Sequence, residues 1–111
     1  MSLPEEIDCH TLKKMLDGPE EGRPVVIDVR QEREHLVAPF PGATLIPLHE
    51  LAERSEELFE FKGRPVVMLC HMGMRSRAAA AFARDKGLDA TSLAGGIEAW
   101  SCEIDPKVPR Y

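Results

Sequence analysis

The run Val66-Val67-Met68-Leu69-Cys70-His71-Met72-Gly73-Met74-Arg75-Ser76, followed by Arg77 and four consecutive alanines at 78–81, decides the fold. Val66 to Cys70 is apolar without alternation, the pattern of a strand covered on both faces. Ser76 to Lys86 is rich in alanine and reads as a helix, closed by Gly87. Small side chains on that helix let it lie close to a sheet. A strand handing over to a helix through a short loop is half of a parallel crossover unit.

Working outward, Val25-Val26-Ile27-Asp28-Val29 is a second continuous β-branched run, set off by Pro24. Thr44-Leu45-Ile46 and Thr91-Ser92-Leu93 are shorter strands. Ile7 to Leu16 reads as a short helix with Asp8 as its cap and Ile7 and Leu12 as a hydrophobic staple. Gln31 to Leu36 forms a helical turn before Pro39 and Pro41. Leu48 to Phe61 is helix-rich, with its glutamates on a solvated face. Gly95-Gly96 is a turn, Ile97 to Cys102 a last helix, and the tail beyond Pro106 is extended. Alternating strands and helices over 111 residues make one α/β domain, 1–111, with a mainly parallel sheet.

Composition narrows the function. With 43% hydrophobic and 30% charged residues the chain is an ordinary globular one, and its net charge of -5 argues against broad nucleic-acid binding. No apolar stretch reaches the roughly 20 residues that cross a bilayer. Cys9, Cys70 and Cys102 are an odd number at irregular spacing, so neither a disulfide framework nor a metal knuckle is indicated. Met1 to Glu6 shows no secretory pattern, and the expected setting is a reducing cytoplasm.

Cys70 is the one reactive residue at a strand-to-helix handover. The loop His71 to Arg75 can curl so that backbone N–H groups face inward, with Gly73 allowing the necessary φ values. The helix start adds unpaired N–H groups and the positive end of its dipole. Such a cradle stabilises a sulfur as its anion, which is the nucleophilic form. Arg75 and Arg77 add positive charge to attract an anionic donor. The competing reading is a buried structural cysteine at a strand end. His71 either binds an anion when protonated or points outward, and Met72 and Met74 either line an apolar rim or fill gaps. Asp28 and Arg30 form a structural ion pair or, alternatively, support the substrate.

The segment Cys70-His71-Met72-Gly73-Met74-Arg75-Ser76 resembles the active-site loop of rhodanese domains. Val26-Ile27-Asp28-Val29-Arg30 with Glu34, Phe40-Pro41-Gly42-Ala43 through Pro47, and Leu93 to Trp100 are similar to three further motifs of that family, in the same order. The resemblance implies a five-stranded sheet with helices on both faces. It implies a sulfurtransferase that takes a sulfane sulfur from a donor such as thiosulfate onto Cys70. The persulfide then passes it to cyanide in an assay, or to a thiol or sulfur-carrier protein in the cell. Phosphatases of similar fold have one residue more between cysteine and arginine than the four between Cys70 and Arg75. A phosphatase or arsenate reductase, or a non-catalytic binding module, are the other readings of this scaffold.

Overall fold

The computed structural model describes residues 2–111 and contains a single five-stranded sheet. In chain order the elements are β1 (Glu6–Ile7), α1 (Cys9–Asp17), β2 (Val25–Asp28), α2 (Glu32–Val37), β3 (Thr44–Leu45), α3 (Ser55–Phe59), β4 (Pro65–Leu69), α4 (Met74–Asp85), β5 (Asp89–Leu93) and α5 (Gly96–Glu103). The strands are ordered β1-β5-β4-β2-β3, and every pairing is parallel. The sheet expected to be mainly parallel is wholly so.

The central strands sort their residues by parity. Val25, Ile27 and Val29 with Val66, Met68 and Cys70 face α4, where Ala79, Ala80 and Ala83 are buried against them. Val26, Val67 and Leu69 face the other side and meet Leu12 of α1 and Ile97 and Trp100 of α5. Burial on both faces explains the absence of alternation in these runs. Each fully buried Val, Leu or Ile contributes about 1.5–3 kcal/mol, so the two middle strands anchor the molecule.

Four segments depart from the sequence-based expectation by two residues or more. Glu6 and Ile7 form an edge strand paired with Ser92 and Leu93, and helix α1 begins after Asp8. Asp8 does cap it, its side chain accepting from the Thr11 N–H at 2.8 Å. Strand β5 extends two residues further back than Thr91, and α4 starts at Met74 rather than Ser76. Between Leu48 and Phe61 only a 3-10 turn (Leu48–Glu50) and α3 form. Leu51 and Leu58 are the two buried side chains of that segment, too little tertiary packing to hold a longer helix.

Candidate active site

Strands β4 and β2 are neighbours, and the chain leaves them toward opposite faces. From β4 it enters α4. From β2 it passes through α2 to Ala38 and Phe40, which pack against the far side. The carboxyl ends of such a strand pair open a crevice at the switch in strand order. Cys70 follows β4 at that point, and Arg30 and Glu34 follow β2.

The loop is shaped by two contacts. Gly73 sits at φ 110°, a left-handed conformation open to glycine, and its N–H donates to Cys70 Sγ at 3.1 Å. On the outer side, the first amides of α5 hold the loop's carbonyls: Ile97 N–H donates to Cys70 O at 2.9 Å, and Glu98 N–H to His71 O at 3.0 Å. In a planar trans peptide N–H and C=O point opposite ways, so the His71 and Met72 N–H groups aim away from α5. Gly96 permits this docking. Its φ is +60°, and a Cβ there would collide with the Cys70 and His71 carbonyl groups. The Gly95-Gly96 pair thus braces the loop.

Helix α4 opens directly from Gly73, and the N–H groups of its first turn have no acceptor within the helix. Ser76, on that turn, is fully buried. Its Oγ lies 3.4 Å from Cys70 Sγ, 3.1 Å from Gly73 O and 2.7 Å from Ser92 Oγ. Cys70 itself is 1% exposed, so it is held beneath the loop and not at a rim. One amide, that of Gly73, hydrogen bonds Sγ itself, a narrower engagement than the full ring expected.

The charged residues divide unexpectedly. Arg75 makes a bidentate pair with Glu34, at 2.6 Å (Nη1 to Oε1) and 2.9 Å (Nη2 to Oε2). Hydrogen bonding to Arg75 holds the Glu34 carboxyl down to about 2. The pair ties the Cys70 loop to α2 and offsets the positive charge that Arg75 was expected to present. Arg77 does not belong to the site. It lies 4.0 Å from Glu6 and lines the surface with Glu5, Ala78 and Ala81. Residues two apart on a helix point some 200° away from each other, so Arg75 and Arg77 cannot serve one loop.

Asp28 and Arg30 are completely buried. The Arg30 side chain donates to both Asp28 oxygens, to Ala38 O, to Glu34 O and to Tyr111 Oη. Held on every guanidinium nitrogen, it braces the corner between β2 and α2. His71 is half-buried with its ring stacked on Tyr111, centroids 4.0 Å apart. Met72 and Met74 are 62% and 83% exposed on the loop's outer edge. Tyr111 also donates to Glu34 at 2.8 Å. The residues that sequence reasoning missed are Tyr111, Ser92 and the brace from α5. A signal existed only for the last, in the Gly95-Gly96 pair.

No helix among the described residues is long and apolar enough to cross a membrane. The model of the Rhodanese-like domain family matches residues 8–103. YtwF of Bacillus subtilis is 31% identical over 93% of this chain and 96% of its own length. The maize protein named adenylyltransferase and sulfurtransferase MOCS3-2 is 33% identical over 98% of this chain, which corresponds to 24% of that protein. The chain thus spans about a quarter of the length of the first curated relatives it matches. Among solved structures, the human single-domain sulfurtransferase TSTD1 superposes with a TM-score of 0.77 at 25% identity, covering 91% of this chain and 98% of that one.

Proposed function

This chain belongs to the rhodanese-like domain family, and from that premise we propose that it transfers sulfane sulfur through a persulfide on Cys70. In the first half-reaction the Cys70 thiolate attacks the sulfane sulfur of a small anionic donor such as thiosulfate. The donor's S–S bond breaks, sulfite leaves with the bonding pair, and Cys70 carries one additional sulfur. In the second half-reaction a thiophilic acceptor attacks that outer sulfur, and the Cys70 thiolate is regenerated. Cyanide is the convenient acceptor in an assay. A cellular thiol or a sulfur-carrier protein is the acceptor we favour in the cell. No net redox change occurs, and no cofactor is called for.

The observation that carries this reading is the Gly73 N–H donating to Cys70 Sγ within a loop whose carbonyls α5 draws outward. Fixed donors aimed at a sulfur stabilise negative charge on it without reorganisation during the reaction. We assign His71, Met72, Gly73, Met74, Arg75 and Ser76 as the substrate- and persulfide-binding loop, with the exposed Met72 and Met74 side chains on its outer edge and the buried Asp28–Arg30 pair supporting it from the end of β2. The test is donor-dependent thiocyanate formation by the intact chain and its Cys70→Ser variant. We expect turnover that Cys70→Ser abolishes. Turnover surviving the substitution, or Cys70-dependent hydrolysis of an aryl phosphate in its place, would overturn the reading.

A further inference from the structure

Ser92 lies on β5, sixteen positions beyond Ser76, and is fully buried. Among the described residues its Oγ makes one hydrogen bond, to Ser76 Oγ at 2.7 Å. Ser76 accepted as donor to Ser92 would leave the Ser92 O–H buried with no acceptor, the costly arrangement. Ser92 is therefore the donor. That leaves Ser76 with one proton of its own and two candidate acceptors, Gly73 O at 3.1 Å and Cys70 Sγ at 3.4 Å.

These contacts define two states of one hydroxyl. With Cys70 as a thiol, the S–H donates to Ser76 Oγ and Ser76 donates to Gly73 O. When the sulfur becomes an anion it no longer donates and becomes the strongest acceptor nearby. The Ser76 proton then swings to Sγ. Gly73 O is not orphaned, because it also accepts the Arg77 N–H at 3.3 Å. Throughout, Ser92 keeps its bond to Ser76. It holds the Ser76 oxygen in place and, by donating to it, strengthens the bond that oxygen gives away.

We propose that Ser92 is a positioning residue for the reaction, acting through Ser76 to stabilise the anionic form of Cys70. This rests on the reading of Cys70 as the nucleophile, and it assigns a role to a strand outside the loop. The charged group that acts on this sulfur is Arg75 of α4, which is paired with Glu34 of α2, while the neighbouring His71 ring is stacked on Tyr111. Substitution at Ser92 leaves all of these in place.

The test is the pH–rate profile of Cys70 alkylation by iodoacetamide, followed by peptide-resolved mass analysis so that Cys9 and Cys102 do not contribute. Profiles are compared for the unmodified chain, Ser92→Ala, Ser76→Ala and the double variant. Removing the Ser92 oxygen deletes no carbon, so the packing is kept. We expect Ser92→Ala to slow Cys70 alkylation at neutral pH about threefold, with the profile moved to higher pH. In the Ser76→Ala background the same change should have no further effect, because the link is already broken. Equal effects of Ser92→Ala in both backgrounds, or none in either, would overturn the proposal. Alkylation needs no sulfur donor, so a failure of sulfur transfer would be seen separately, as absent thiocyanate with these profiles unchanged.

Discussion

Two segments leave neighbouring strands at the same end of the sheet and treat their polar groups in opposite ways. After β2, Asp28 and Arg30 are fully buried, and every guanidinium nitrogen has a partner in a carboxylate, a carbonyl or the Tyr111 hydroxyl. After β4, Cys70 is just as buried, yet the donors around it are not all matched to acceptors: Gly73 N–H meets the sulfur, and the first turn of α4 adds further amides. The first segment is a closed structural corner. The second holds donors around an atom able to carry charge. Burial does not separate a structural polar group from a reactive one; the balance of donors and acceptors around it does.

Breaking the corner should have the largest consequence. Arg30→Met leaves the buried Asp28 carboxylate with only His35 and the backbone N–H of residue 30 as partners, and removing the charged partner of a buried pair costs about 3–5 kcal/mol. Urea denaturation should show the loss directly, and an unchanged midpoint would mean the pair does not brace the fold. Next is Gly96→Ala. A methyl group there drives against the Cys70 and His71 carbonyls, and displacing a reacting group by an ångström costs about 10²-fold in rate. Thiocyanate formation should fall by that order. Full activity would show that α5 does not shape the loop.

Glu34→Gln sharpens the comparison at the seam between the two segments. The Glu34 carboxyl titrates at about 2, below its ordinary 4.5, because Arg75 favours the charged form. Its contribution is therefore complete above about 4.5 and is lost as pH falls through about 2. We expect Glu34→Gln to lose about 1 kcal/mol at neutral pH, given that Arg75 is partly exposed, and to show a flatter acid limb between those values in a pH-dependent melting series. An unaltered acid limb would deny the pair its role. The smallest effect belongs to Tyr111→Phe, which keeps the ring against His71 and removes the hydroxyl that links Arg30 to Glu34. Loss of that half-exposed link should lower stability by about 0.5 kcal/mol in the same denaturation series, and a drop as large as that of Arg30→Met would mean the phenol is central to the corner.

The central part of this architecture is legible in the sequence because it is written in long patterns. Val66 to Cys70 and Val25 to Val29 are buried on both sides, which leaves an unbroken apolar record. Cys70 stands out because it lies between the clearest strand and the clearest helix. Other parts are not local. Glu6 and Ile7 become a strand only by pairing with Ser92 and Leu93, and two residues carry no period of their own. Ser92 reads as an ordinary strand residue until the fold sets it 2.7 Å from Ser76. Tyr111 reaches Arg30 and Glu34 across most of the chain's length, a contact no spacing encodes. Arg77 is different: helical geometry already separates it from Arg75, and the expectation that both serve the loop passed over that angle.

The three cysteines supply the most direct test of the central claim. Cys102 is exposed, Cys9 is buried with its thiol pushed up to about 11 by that burial, and Cys70 is buried beneath donors. After treatment with a sulfane-sulfur donor, peptide-resolved mass analysis should find the added sulfur on Cys70 and leave Cys102 bare. Sulfur on Cys102 with Cys70 unmodified would mean that access, and not the amides after β4, selects the site.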